Sequence, residues 1–322
     1  MCTAITFQTL DHYFGRNLDL EYSYQETVAI TPRNYPFKFR KADAKCNHYA
    51  MIGMATVADN YPLYYEATNE FGLSIAGLNF PDNAVYNDEV KDKDNIAPFE
   101  FIPWILCQCR NLDDSEKLLS NLNLVNLDFS DKYSVTPLHW LIADMHRAIT
   151  VEPLRGELKI YENPVGVLTN NPPFDYHMHH LCEYMNLSSN DPINNFSSKI
   201  DLRPYSRGMG TMGLPGDLSS ASRFVRATFT KFNSQCDFNE IDSVSQFFHI
   251  LGSVTQQNGC NKIGDHYEKT VYSSCCNMDK GIYYYSTYDN RQITAINMRG
   301  ADHNSSNIKT YPLVKTQQIR YE

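Results

Sequence analysis

A cysteine in second position becomes chemically interesting when the residue before it leaves. Met1 precedes the small Cys2, a context in which an initiator methionine is readily excised, so Cys2 is expected to become the chain terminus. A terminal cysteine carries a thiol and an α-amine on one residue. That amine, with a pKa near ~7.7–8.0, is partly neutral around physiological pH. It takes the thiol proton directly or through a water and so acts as general base without a histidine. Supporting charges follow closely. If Asp11-His12 make a hairpin turn, residues 13–19 run back beside residues 2–7 and bring Arg16 and Asp19 to Cys2. Arg16 would stabilise the thiolate, and Asp19 would hold and orient the amine. Taken alone, each has an ordinary alternative: a cysteine that happens to be second, and an ion pair on an exposed hairpin.

Such residues need elements to position them. Residues 2–7 and 27–31 read as strands. Apolar runs at 64–67 and 73–78 flank Thr68-Asn69-Glu70-Phe71-Gly72, a hairpin signal, and 158–161 with 165–169 repeat that form about Asn163-Pro164. Residues 269–273, 281–288 and 292–298 are rich in Tyr, Val, Ile and Thr, as strands tend to be. Helical spacing covers 99–109, entered at Pro98, then 114–121, 222–232 and 241–251. Strands and helices in this order, with many turns, suit a mostly antiparallel α+β layered domain better than alternating βαβ units. With no repeat and no linker, one domain over 1–322 is expected, or 2–322 once Met1 is gone.

The composition narrows the function classes. Hydrophobic residues make up 42% of the 322, ample for a continuous core. A formal net charge of −9 argues against a nucleic-acid partner, which would require a basic face. No apolar run approaches the ~18–20 residues of a bilayer span. The opening MCTAITFQTL has neither a basic nor an apolar segment of a secretory signal, so a cytoplasmic location is expected. Nine cysteines, odd in number and scattered, make no disulfide framework. Cys107 with Cys109, and Cys275-Cys276, are poor metal spacings, and His177, His179 and His180 read as the start of a helix. Neither a metal nor an organic cofactor is expected. Gly208, Gly210 and Gly213 match G-x-G-x-x-G without the strand–turn–helix setting that a nucleotide loop needs.

Several separated blocks resemble the choloylglycine hydrolase family, which includes bile salt hydrolases and penicillin V acylases. They are Met1-Cys2-Thr3-Ala4, Phe14-Gly15-Arg16-Asn17-Leu18-Asp19, Tyr35-Pro36-Phe37, Gly72-Leu73-Ser74-Ile75-Ala76-Gly77-Leu78-Asn79-Phe80 and Pro137-Leu138-His139-Trp140. Further on come Val167-Leu168-Thr169-Asn170-Asn171-Pro172-Pro173-Phe174, Gly213-Leu214-Pro215-Gly216-Asp217 and Ser219-Ser220-Ala221-Ser222-Arg223-Phe224. They stand in family order, and the strand-rich tail beyond them fits too. The resemblance implies an N-terminal nucleophile hydrolase: a four-layer αββα sandwich of two mostly antiparallel sheets, assembled as a homotetramer. It also implies roles. Cys2 is nucleophile and, through its amine, base; Arg16 and Asp19 support thiol and amine. Asn79 donates its side-chain amide to the developing oxyanion, Asn171 helps complete that site and positions the amine, and Arg223 completes the charge network. Neutral amide donors are what an oxyanion requires.

The same resemblance points to conjugated bile acids as substrates, with penicillin V or another acyl amide as the alternative. Asn79 in Gly-Leu-Asn-Phe is similar to the bile-salt branch, whereas penicillin V acylases often carry Tyr there. A steroid that is greasy on one face and hydroxylated on the other suits apolar side chains with polar tips. Leu20 and Tyr24 in the early loop, Tyr65, Phe129 and Leu138 are the candidates, and each would serve equally well as core. Arg207, in Tyr205-Ser206-Arg207-Gly208, is a candidate partner for the glycine carboxylate or taurine sulfonate. Two rival readings remain: a binding protein that kept the fold and lost turnover, and a cysteine peptidase with a histidine base elsewhere.

Overall fold

The short β-rich runs assemble into two large sheets laid face to face, in a computed structural model that describes residues 1–322. One sheet has six strands. β1 (Cys2–Gln8) and β2 (His12–Leu20) lie within it, with Val167–Leu168 beside β1 and Lys269–Asn277, Ile282–Thr287 and Thr294–Asn297 beyond β2. The other has eight. Lys309–Pro312 edges it beside β3 (Thr27–Thr31), followed by β4 (Met51–Ala58), β5 (Tyr61–Asn69) and β6 (Ser74–Asn79), then Leu138–Ala143, Ala148–Leu154 and Glu157–Glu162. All pairings within the two are antiparallel.

Helices cover both outer faces. α1 (Phe101–Leu106) and α2 (Leu112–Leu119) pack on the eight-stranded sheet through a core that includes Trp104, Leu112, Trp140 and Ile142. α3 (Phe174–His180) leans on α4 (Ser220–Asn233), and α4 and α5 (Glu240–Gly252) cover the six-stranded sheet with Phe224, Phe247 and Leu251. The result is the αββα order expected of an α+β sandwich. Asn111, Ser219 and Asn239 cap α2, α4 and α5 by accepting an amide three residues on. No helix is long and apolar enough to cross a membrane.

Being covered on both faces, β2 is buried from Tyr13 to Asp19. Its polar residues must therefore find partners inside the protein.

The expected hairpin about Asn163-Pro164 does not form. Glu157–Glu162 edges the eight-stranded sheet and Val167–Leu168 the six-stranded one, so the chain changes sheets at this turn. Asn163 holds the crossing by donating its side-chain amide to Thr150 Oγ1 (3.0 Å) and Val167 O (2.9 Å). Gly166 follows at φ 55°, where a Cβ would strike Thr6. The crossing brings the Val167–Leu168 strand alongside β1.

Candidate active site

β1 and β2 form the anticipated hairpin, with Cys2 opposite Leu18 and Ala4 opposite Arg16. Directly opposed residues of an antiparallel pair share a face, and side chains alternate along each strand. Cys2, Leu18 and Arg16 thus face the second sheet. Asn17 and Asp19 face the helices, where the Asn17 side chain donates to Leu251 O of α5 (3.0 Å). Arg16 and Asp19 flank Cys2 from opposite sides of one strand.

Arg16 is fully buried between the sheets. Its Nη1 donates to Tyr65 O (3.0 Å) and Gly77 O (2.5 Å), and its Nε lies 3.9 Å from Glu66. Burial opposes its charge, but Cys2, Tyr272, Glu66 and Asp19 outweigh that and hold the guanidinium above its ordinary pKa. Asp19, equally buried, accepts from Thr270 Oγ1 (2.6 Å) through Oδ1 and has no partner at Oδ2. Burial raises its pKa; the chain-terminal amine, Arg223, the Thr270 hydrogen bond and Arg16 work against that rise. With Met1 in place, the Met1 amine donates to Asp19 O (2.8 Å) and meets the Glu268 carboxylate, and burial lowers its pKa.

The strand beside β2 contains a register shift between Thr270 and Tyr272. The extra residue reverses the alternation. Thr270 therefore reaches Asp19 on the helix side, while Tyr272 and Ser274 reach Glu66 between the sheets (2.6 and 2.9 Å).

The amine end of Cys2 is held by Asn170. The Cys2 amide donates to Asn170 Oδ1 (2.8 Å), and Asn170 Nδ2 donates to Asn79 O (2.7 Å). Asn171, expected at this place, instead donates to Pro81 O (2.6 Å) and leaves its Oδ1 without a partner. The reason is register: Leu168 lies opposite Ala4, so extending the pairing by two residues sets Asn170 opposite Cys2. Its neighbour's side chain then points elsewhere. Asn170 is itself clamped, its amide donating to Ser220 Oγ (2.8 Å) and its carbonyl accepting from His177 Nε2 (2.9 Å). Knowledge of the β1 partner strand would have singled out Asn170; the Asn-Asn dipeptide alone does not.

Arg223, fully buried on α4, closes the cluster. Nη1 donates to Cys2 O (2.5 Å) and Thr3 Oγ1 (2.7 Å), and Nη2 to Asn170 Oδ1 (2.8 Å). Burial pulls its pKa down, with Asp19 and Cys2 opposing. Asn79 ends β6 exposed, its side-chain amide making no hydrogen bond within the chain.

The substrate candidates separate. Leu20 and Tyr65 pack against the inter-sheet core on the thiol side, and Leu138 lies opposite Asn79. Tyr24 is partly exposed and connects to Tyr65 through Thr56, which donates to Tyr24 O (3.2 Å) and bonds the Tyr65 hydroxyl (2.8 Å). Phe129 is not brought to Cys2. It packs with Tyr61, Phe99 and Tyr133 in an aromatic cluster of the core beneath the other helical layer. Arg207 stands exposed with no ion pair, just before Gly208 at φ 79°.

A family model described as linear amide C–N hydrolases, choloylglycine hydrolase family, matches residues 2–311. A bile salt hydrolase/transferase of Lactiplantibacillus plantarum is 55% identical over 314 residues, 97% of each chain. One of Clostridium perfringens is 37% identical over 330 residues, 100% of this chain and 99% of its own. Among solved structures, the C2A mutant of the conjugated bile acid hydrolase from Clostridium perfringens superposes with a TM-score of 0.92 at 36% identity, covering 100% of this chain and 99% of that one. A penicillin V acylase from Agrobacterium tumefaciens, 17% identical with a TM-score of 0.78 over 98% of this chain and 92% of its own, shares the fold.

Proposed function

The chain belongs to the choloylglycine hydrolase family of linear amide C–N hydrolases, and on that premise we propose that it cleaves glycine- or taurine-conjugated bile acids with Cys2 as nucleophile. The observation that carries the reading is the lodging of Cys2: its amide on Asn170 Oδ1, its carbonyl on Arg223, Arg16 on its thiol face and Asp19 on the other. Once Met1 is removed, the free α-amine takes the thiol proton and the thiolate attacks the amide carbon. The carbonyl electron pair moves onto oxygen, which the Asn79 side-chain amide, free of hydrogen bonds within the chain, would stabilise. Collapse of the intermediate breaks the C–N bond, and the α-ammonium returns its proton to the departing glycine or taurine nitrogen. Water, deprotonated by the same amine, then hydrolyses the acyl-thioester.

Leu20, Tyr65 and Leu138 would line the steroid side. Arg207, free of any ion pair within the chain, would meet the carboxylate or sulfonate of the leaving group. A cytoplasmic location belongs to the same reading, as does a homotetramer, the latter supported by the apolar side chains of Ile193, Phe196 and Tyr205 exposed along one segment; sedimentation equilibrium of the purified protein tests the oligomer. The deciding experiment is a product assay with glycocholate, taurocholate and penicillin V on Met1-processed protein. We expect free cholate from both conjugates and none from Cys2→Ala. Turnover of penicillin V alone would overturn the substrate reading, and near-normal turnover in Cys2→Ser the nucleophile.

A further inference from the structure

Glu66 is a buried carboxylate that the reaction above does not use. It lies on β5 and accepts three hydroxyls from the opposite sheet: Tyr272 at Oε2 (2.6 Å), Tyr283 at Oε1 (2.5 Å) and Ser274 at Oε1 (2.9 Å). Its ion-pair partner is Arg16, at 3.9 Å. Burial raises its pKa, while Arg16 and the three hydroxyls favour the charged form. Arg16 uses Nη1 on the Tyr65 and Gly77 carbonyls and leaves Nη2, also buried, without a partner.

Two register shifts build this cage, one in each sheet. The β4–β5 pairing slips between Met54 and Ala55, so that Tyr65 is the extra residue just before Glu66; the strand beside β2 slips between Thr270 and Tyr272. Bulges re-aim side chains and cost ladder hydrogen bonds. A buried ion pair is also a poor way to gain stability, because desolvation offsets the attraction. Facing bulges that surround one arginine point to a role beyond packing.

We propose that Glu66 is a positioning residue for the amide cleavage, acting through Arg16 to set the charge that the Cys2 thiol meets. The proposal rests on the Cys2 reading above. The charged groups around that thiol are Arg16 on β2, Asp19 near the end of the same strand, Arg223 on α4 and the chain-terminal amine; Glu66 and Tyr272 face Arg16, and Glu268 and Glu21 lie toward the amine.

The test is the pH dependence of Cys2 alkylation by iodoacetamide in Met1-processed protein. Glu66→Gln keeps the shape and removes the charge that offsets Arg16, so its alkylation midpoint should fall by about one pH unit relative to the wild type. Arg16→Gln should move the midpoint upward, and adding Glu66→Gln to Arg16→Gln should change nothing further. A Glu66→Gln midpoint that stays put, or that falls equally without Arg16, overturns the proposal. Should Glu66→Gln not fold, Tyr283→Phe removes one of the three donors and should shift the midpoint the same way by less; no shift there has the same overturning force. Alkylation is read without bile salt, so failure here leaves the Cys2 reading intact. That reading falls instead if alkylated protein still hydrolyses taurocholate.

Discussion

The two faces of β2 solve opposite problems with the same strand. On the face toward the second sheet, Arg16 is a cation fixed by backbone carbonyls and one carboxylate, itself held by hydroxyls. On the face toward the helices, Asp19 is an anion with a single side-chain donor, Thr270, and an oxygen left over. Residues three apart on a strand project to opposite sides. Arg16 and Asp19 therefore form no ion pair with each other, although each favours the other's charge; the ion pair of Arg16 is with Glu66. Once Met1 is removed, the strand would present a positive charge to the thiol and a negative one to the amine of the same residue, because a terminal Cys2 offers the two groups in different directions.

Single substitutions should pull the faces apart. Arg16→Gln and Asp19→Asn are each expected to lower kcat/KM by about 10²–10⁴, the range for a lost group in proton transfer or nucleophile activation. They should differ in one readout. Arg16→Gln slows alkylation of Cys2 at neutral pH, whereas Asp19→Asn leaves alkylation near normal while turnover falls. Equal effects on alkylation would erase the distinction. The next largest contrast is between the neighbouring asparagines. Asn170→Ala loses the group that joins Cys2 to Asn79 and Arg223, and steady-state kinetics should show a fall of about 10²–10³. Asn171→Ala, which removes only a hydrogen bond to Pro81 O, should cost less than about tenfold.

That contrast also marks where sequence stops being informative. The β1–β2 hairpin was readable because Asp11-His12 signal a turn soon after the short strand at residues 2–7, and β3 because Thr27–Thr31 is dense in β-branched residues. β4, in contrast, is rich in Met, Ala and Gly, and Leu138–Ala143 is apolar at every position but His139. A strand covered on both faces has no alternation to betray it. Arg16, Asp19 and Arg223 were legible as charges in specific blocks, but the choice between Asn170 and Asn171 depends on a pairing between residues far apart in the chain. Phe129 was ambiguous for a related reason: an aromatic residue that lines a steroid slot and one that fills a core have the same identity. Glu66 was silent, since an acid in a strand normally faces water, and only the bulge at Tyr65 turns it inward.

The groups buried on the two sides of β2 carry pH sensitivities of opposite sign. Burial pushes the His177 imidazole down to about 4, and its one hydrogen bond supports the Asn170 carbonyl. A base with a depressed folded pKa is neutral in both states above the ordinary value of about 6.5. As pH falls from there toward 4, the unfolded chain takes up a proton that the fold refuses, so stability declines across that window by up to about 3 kcal/mol. Thermal melts between pH 7 and pH 4 should show a slope that His177→Gln flattens. Asp19 and Glu66 act in the opposite sense. Their folded pKa values are raised, so their contribution grows as pH falls through the raised values and is lost as pH rises.

The smallest effect is also the sharpest discriminator of the two faces. Thr270 Oγ1 donates to Asp19 (2.6 Å) and accepts the Gln256 amide (2.8 Å), so Thr270→Val frees Asp19 to turn without removing its charge. A lost hydrogen bond of this kind is worth about 1 kcal/mol, roughly a fivefold fall in kcat/KM. Four residues along the same strand, Ser274→Ala removes a donor from Glu66 instead. Because the register shift at Thr270/Tyr272 sends these two side chains to opposite faces, Thr270→Val should lower turnover with Cys2 alkylation unchanged. Ser274→Ala should move the alkylation profile. If both variants moved alkylation alike, Thr270 and Ser274 would be acting on one electrostatic unit, and the division of labour across β2 would have to be abandoned.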